Sequence, residues 1–154
     1  MDSKNITTPI ENRGSSKGNP NAIIHLGEPL NKRQERLLNS LREIDDNVTV
    51  HKSDVSMKDL AALTAHEGVE FALFTRKGER MIIRGDVLHV NIDTETASQM
   101  SADGWRWSGH THPGAGSLAL IDSEGDRLIL RCFTNQSMGV IYNSKGRHET
   151  FAKG

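Results

Sequence analysis

The sequence is poor in cysteine and aromatic residues, has no long apolar run and carries almost no net charge. The one cysteine, Cys132, excludes an intramolecular disulfide and a structural zinc site built from several thiolates. No apolar run approaches the roughly 20 residues that a transmembrane helix needs, so we expect no membrane partner. The N-terminus also lacks the apolar centre of a signal peptide. The sequence does not decide whether the protein is cytoplasmic or is delivered elsewhere as part of a larger protein.

The charge balance argues against a polyanionic partner. The sequence has nineteen Lys and Arg residues and twenty Asp and Glu residues, which gives a net charge of -1. This balance offers no broad positive field, so we expect no nucleic-acid partner.

The length of 154 residues suits one domain. Residues 1–28 mix Asn, Ser, Gly and Pro with few large apolar side chains, which predicts a flexible linker. Residues 29–154 are then the folded domain. A linker of this kind suggests that the domain is part of a larger polypeptide.

Hydrophobic periodicity predicts a mixed α/β domain. Ser56, with Asp59 three residues on, is typical of a helix N-cap. The segment Arg127–Phe133 is apolar enough for a buried helix or a buried strand, and its periodicity favours neither. The remaining expected elements are helices over Asn31–Ile44, Ser56–Ala65 and Asp93–Ser101, strands over Val48–Val50, Val87–Ile92 and Trp105–Gly109, and hairpins over Val69–Ile83 and Gly139–Ala152.

Two of the seven histidines, His110 and His112, stand at the end of a predicted strand. Residues two apart on a strand project to the same side, so the two imidazoles could bind one metal ion. The sequence Pro-Gly-Ala-Gly that follows is too irregular to continue a strand. Trp105 and Trp107 are odd-numbered on that strand, so we expect them to face away from the histidines and fill the core.

A catalytic zinc usually takes three protein ligands and keeps one position for water. The segment Ser123-Glu124-Gly125-Asp126 offers a carboxylate that would complete a two-histidine, one-carboxylate set. Ser-x-x-Asp before an apolar run is also typical of a helix N-terminus. Both roles are compatible, because a helix N-terminus can hold a ligand in position.

Together with Glu70, these residues resemble the signature of the JAB/MPN superfamily, the JAMM zinc metalloproteases: a distant Glu, then His-Ser/Thr-His-Pro, then Ser-x-x-Asp. The flanking segments are most similar to bacterial JAB-like domains of polymorphic toxins and phage-related proteins. The resemblance covers about residues 61–151. It implies a single JAB/MPN-like domain of the α/β class, with a mixed β-sheet flanked by helices.

The resemblance also implies roles for five residues. His110, His112 and Asp126 would hold Zn²⁺, Glu70 would act as the general base, and Ser123 would donate a hydrogen bond to the oxyanion. The reaction would be hydrolysis of a peptide or isopeptide bond, with a protein or peptide substrate. Substrate identity and oligomeric state stay open.

Two positions in this pattern have rivals. Ten residues separate His112 from Ser123, three more than is usual in the family, so we interpret residues 114–122 as a loop with an insertion. Asp122 is therefore a rival third ligand to Asp126, and Glu67 is a rival to Glu70 as the base.

An alternative function is a non-catalytic JAB-like binding or interaction module, attached to a toxin or phage protein. A nucleobase deaminase is excluded because its Pro-Cys-x-x-Cys pattern needs more than one cysteine.

Overall fold

The structure is a computed structural model that describes residues 29–154. Within this range, six strands form one mixed sheet and four α-helices pack around it, which confirms the predicted α/β class. The linker predicted over residues 1–28 lies outside the described residues. No helix in 29–154 combines the length and the apolar character that crossing a membrane requires.

The sheet has the strand order β1-β3-β2-β4-β5-β6. Neighbouring strands are antiparallel except for β4 and β5, which are parallel. Two short 3-10 helices cover Lys52–Asp54 and Ser117–Leu120. In chain order the main elements are α1 (Lys32–Asn39), β1 (Asn47–His51), α2 (Met57–Glu67), β2 (Phe71–Arg76), β3 (Glu79–Arg84), α3 (Thr94–Ala102), β4 (Arg106–Thr111), α4 (Glu124–Arg131), β5 (Met138–Tyr142) and β6 (His148–Ala152).

Helices cover both faces of the sheet, and each face has its own core. On one face, Phe71 and Leu73 of β2 pack in a cluster with Leu37 of α1 and with Leu60 and Leu63 of α2. On the other face, alternate residues of the same strand join a cluster that includes side chains of α3 and α4. The members of this second cluster include Ala72, Phe74, Ala97, Met100, Trp105, Trp107, Ile129, Leu130, Phe133, Ile141 and Phe151. Because both of its faces are covered, β2 is buried along most of its length.

Polar side chains set the starts of α2 and α4. Ser56 caps α2 in a reciprocal capping box with Asp59, as predicted. Ser123 and Asp126 form the same arrangement at α4. The segment after Asp126 is therefore a helix, and the choice that periodicity left open is settled by this cap.

The helix predicted over Asn31–Ile44 is wrong at its C-terminal end. α1 stops at Asn39, and Ile44 is exposed. The chain leaves the helix because its backbone bonds to β3 instead: Asp45 N donates to the carbonyl of Arg84, and Arg84 N donates to the carbonyl of Asp46. Tertiary pairing therefore overrides the apolar periodicity of this segment.

The strand predicted over Val87–Ile92 is also wrong. The Asp86 carboxylate accepts hydrogen bonds from the N–H groups of Leu88 and His89, and Asp86 N donates to the carbonyl of His89. These bonds close a tight turn in place of an extended ladder. Val90 is nevertheless buried in the core, which accounts for the apolar pattern.

The two tryptophans are buried as expected, but the prediction that they face away from the histidines is wrong. On β4, Trp107 pairs with Phe74 and Gly109 pairs with Leu73, so Ser108 is an extra residue in a β-bulge. The bulge shifts the alternation by one position. Trp107 therefore lies on the same face as His110, and their rings stack with centroids 4.8 Å apart.

Candidate metal centre

The sheet and α4 bring the predicted site residues together. His110 lies at the end of β4 opposite Ala72 of β2. Glu70 precedes Ala72 by two residues and His112 follows His110 by two, so the antiparallel register directs all of these side chains to one side. Asp126 reaches the same point from the first turn of α4.

The two imidazoles and the Asp126 carboxylate converge at ligand spacing. The Nε2 atoms of His110 and His112 are 3.1 Å apart. Asp126 Oδ1 lies 3.1 Å from His110 Nε2, and Oδ2 lies 3.5 Å from His112 Nε2. Ligands about 2.0–2.1 Å from a tetrahedral zinc ion lie about 3.3 Å from one another. The donor set and its spacing therefore fit a tetrahedral ion.

Glu70 is a second carboxylate within reach of the histidines. Its Oε2 lies 3.7 Å from His112 Nε2. Possible ligand atoms of Glu70, His110 and His112 all lie within 4.8 Å of one another, so these three residues could also hold a metal ion. Asp126 approaches the imidazole nitrogens more closely than Glu70 does and contacts both of them. This geometry favours Asp126 as the ligand and leaves Glu70 beside it.

The tautomer of His112 directs its Nε2 lone pair into the site. His112 Nδ1 lies 3.1 Å from the carbonyl oxygen of Ala119. A carbonyl only accepts, so Nδ1 carries a hydrogen and Nε2 of the neutral ring holds the lone pair. That lone pair faces the Asp126 carboxylate and the Nε2 atom of His110. A proton or a cation is needed between these groups. A hydrogen bond of this type is usual on metal-binding histidines.

Aromatic packing orients His110. Its ring lies between Trp107, which stacks on it, and Phe151, which meets it edge to face. The Nδ1 atom is buried and makes no hydrogen bond within residues 29–154. The orientation of this ligand therefore depends on the second core cluster.

Burial and charge set the protonation of the site. Burial lowers the pKa of His110 to about 4 despite the neighbouring Asp126 carboxylate, so its ring is neutral at physiological pH. Burial alone would raise the pKa of Asp126, but the two imidazoles hold it below its usual range. Burial also disfavours the charged form of His112, yet Glu70 and Asp126 outweigh this effect and raise its pKa. The two carboxylates therefore favour positive charge at His112, whereas His110 stays neutral.

Burial raises the pKa of Glu70 to about 7. The residue is 3% exposed, in agreement with the burial that a general base of raised pKa requires. Its backbone is held on both sides by the turn after β3: Glu70 N donates to Asp86 O, and Gly85 N donates to Glu70 O. The turn that begins at Gly85, just before the segment predicted as a strand, therefore fixes the backbone of Glu70.

The rival residues are engaged elsewhere. Glu67 forms an ion pair with Arg84 at 2.9 Å and a hydrogen bond with the neighbouring His66 at 2.8 Å. Asp122 forms an ion pair with Arg127 at 2.6 Å. These contacts leave Glu70 and Asp126 as the carboxylates beside the histidines.

Ser123 has a structural contact at the site. Its hydroxyl accepts a hydrogen bond from Asp126 N, and its own N–H donates to Asp126 Oδ2. Ser123 therefore helps to position the Asp126 carboxylate.

Two positions near the site were not singled out from the sequence. Thr111, between the two histidines, is buried and bonds the hydroxyl of Thr64 on α2. Asn143, in the turn between β5 and β6, is completely buried and bonds the loop that follows His112. The Asn-Ser-Lys-Gly sequence signalled a turn, but its contact with a distant loop has no local signature.

No family model, curated protein or solved structure matches this chain. The likeness to the JAB/MPN superfamily therefore stays a prediction from the motif residues.

Proposed function

We propose that this protein is a zinc-dependent metallohydrolase of the JAMM type that cleaves a peptide or isopeptide bond. The convergence of the two Nε2 atoms and the Asp126 carboxylate within 3.1–3.5 Å is the observation that carries this proposal. His110, His112 and Asp126 would hold the ion. When bound, zinc supplies Lewis acidity and lowers the pKa of water from about 15.7 to about 7.

Glu70 has the chemistry of the general base. Its pKa of about 7 means that the carboxylate can accept a proton from the attacking water and return it to the leaving nitrogen at neutral pH. A usual surface carboxylate would be too weak a base for the same transfer. The position of Glu70 next to His112, at 3.7 Å, supports this role.

Ser123 would donate a hydrogen bond to the oxyanion, by the resemblance. Loss of a contact of this kind typically costs about 3 kcal/mol of transition-state stabilisation. A protein or peptide substrate is part of the same proposal, because the amide bond is the group that this residue set would hydrolyse.

The test combines the metal content of His112→Ala with the activity of two matched variants, Glu70→Gln and Glu67→Gln. We expect purified protein to carry close to one zinc, and His112→Ala to lose it. Glu70→Gln should keep the zinc but lose peptidase activity. Activity is measured by mass spectrometry as cleavage of a pool of synthetic linear and lysine-branched peptides. Glu67→Gln, the same chemical change at the rival position, should cleave like the wild type.

Two outcomes would overturn this assignment. Equal zinc content in the wild type and in His112→Ala would show that the metal lies elsewhere. A wild type that holds zinc but cleaves neither class of peptide would favour the non-catalytic binding module.

A further inference from the structure

Asn143 uses the full hydrogen-bonding capacity of its side chain while completely buried. Its Oδ1 accepts from Lys145 N at 3.0 Å and from Arg147 N at 3.1 Å. Its Nδ2 donates to Ala115 O at 3.2 Å and to Gly116 O at 3.3 Å. A primary amide offers two donors and one oxygen with two lone pairs, so nothing more can be added. One half of the amide organises its own turn, and the other half reaches a different loop.

That other loop begins directly after His112. Ser144 holds it as well: Ser144 N donates to Gly114 O at 2.9 Å, and Gly114 N donates to Ser144 Oγ at 3.0 Å. Three successive loop residues, 114 to 116, are thus bonded to the turn between β5 and β6. Gly114 has a φ of +122°, outside the range of a regular strand or helix. The loop therefore takes its path from the turn against which it lies.

The same loop returns to the metal centre. Gly116 O, which accepts from Asn143, also accepts from Ala119 N at 3.2 Å in the 3-10 helix. The carbonyl of Ala119 in turn accepts from His112 Nδ1 at 3.1 Å. A short series of hydrogen bonds therefore connects the Asn143 amide to the His112 imidazole.

We propose that Asn143 is a positioning residue for the metal centre. By holding residues 114–116, it keeps the carbonyl of Ala119 where it fixes the Nδ1–H tautomer of His112 and directs Nε2 toward His110 and Asp126. This inference rests on the proposed function, because it treats His112 as a ligand to a divalent cation. Partners that orient metal-binding histidines typically contribute about 10- to 100-fold to metal affinity.

The test compares Asn143→Asp with Asn135→Asp in the full chain. The first variant keeps an oxygen for Lys145 and Arg147 but loses both donors to the loop carbonyls. The second makes the same chemical change at an exposed position. We expect zinc affinity, measured by competition with a chromophoric chelator, to fall about 10- to 100-fold in Asn143→Asp and to stay unchanged in Asn135→Asp.

A second measurement separates positioning from general loosening of the fold. In the zinc-free wild type, at a pH at which the ring is neutral, ¹⁵N NMR of the histidine side chains should show His112 with a hydrogen on Nδ1. Asn143→Asp should lose this signature while its circular dichroism is retained. If Asn143→Asp does not fold, Ser144→Ala, which removes one loop contact, is judged by the same two measurements and should show a smaller loss of affinity.

The outcomes distinguish this inference from the proposed function. A wild type that binds no zinc overturns both. A wild type that binds zinc, with a folded Asn143→Asp that binds it equally well, overturns only the role of Asn143. Weakened zinc binding with the His112 tautomer intact also contradicts the route through Ala119.

Discussion

The hydroxyl oxygens of Thr64 and Thr111 lie 2.5 Å apart in the core, and this contact joins α2 to the strand that carries the histidines. Thr111 Oγ1 also accepts from Phe71 N at 2.9 Å, at the point where β2 begins. Because Glu70 immediately precedes Phe71, the Thr111 hydroxyl connects the backbone next to the candidate base with the residue between the two histidines.

Replacing Thr111 with Val should destabilise the protein more than replacing Thr64 with Val. Thr111→Val leaves the buried N–H of Phe71 without its acceptor, which costs about 1–3 kcal/mol. Thr64→Val removes one hydroxyl but leaves that N–H bonded, so we expect about 1 kcal/mol. Urea denaturation measures both losses. Thr111→Ser keeps the hydroxyl and is the control, and a Thr111→Val variant as stable as wild type would contradict the role of this bond.

Asp126→Asn and Asp122→Asn should separate the two candidate ligands. We expect Asp126→Asn to lose zinc, because an amide is a poor replacement for a buried anionic ligand beside two imidazoles. Asp122→Asn should keep the metal and lose only its partly exposed ion pair with Arg127, at a cost below about 1 kcal/mol. Metal analysis after dialysis gives the answer, and loss of zinc in Asp122→Asn alone would reverse the assignment.

Asp59 should contribute stability at neutral pH that disappears in acid. Burial would raise its pKa, but hydrogen bonds from Arg33, Gln34 and Ser56 hold the pKa below the usual 3.8. The contribution is therefore present above about pH 4 and is lost as the pH falls through the lower, folded-state pKa.

The measurement for Asp59 is urea unfolding of the wild type and Asp59→Asn at pH 7, 5 and 3. Arg33 is largely exposed, so we expect a difference of only about 1 kcal/mol at pH 7, shrinking toward pH 3 and below. Asp54→Asn, at an exposed position near the same helix, should show no such difference. A stability difference between the wild type and Asp59→Asn that grows as the pH falls would contradict this prediction.

Removing the metal should lower the melting temperature without unfolding the domain. Both core clusters are formed by apolar side chains that do not depend on an ion. Free zinc at 100 times its dissociation constant adds about 2.7 kcal/mol to the free energy of unfolding, or about 5–10 °C for a domain of this size. Calorimetry before and after chelation measures this shift. His112→Ala should show none, and an unfolded apo protein would contradict the prediction.

Much of the fold follows from local patterns. Ser56 with Asp59 marked a helix start because a capping box needs only residues three apart. The hairpin predicted over Val69–Ile83 is formed by β2 and β3, because a short turn between two apolar runs is also a local signal. The errors at Ile44 and Val87–Ile92 arose where distant backbone groups or an Asp side chain competed for hydrogen bonds.

The candidate site, too, was only partly predictable from the sequence. Residue types and spacing were enough to single out His110 and His112 as candidate ligands and to narrow the third ligand to Asp126 or Asp122, since strand alternation and a helix N-cap are properties of short segments. Sequence could not decide between Asp126 and Asp122, because that depends on where a ten-residue loop puts the start of α4. Folding also buries Glu70, whose backbone bonds to Gly85 and Asp86, and burial is what raises its pKa. Hydrogen bonds across long separations, such as those of Thr111 and Asn143, depend on the arrangement of the whole sheet and leave no local signature.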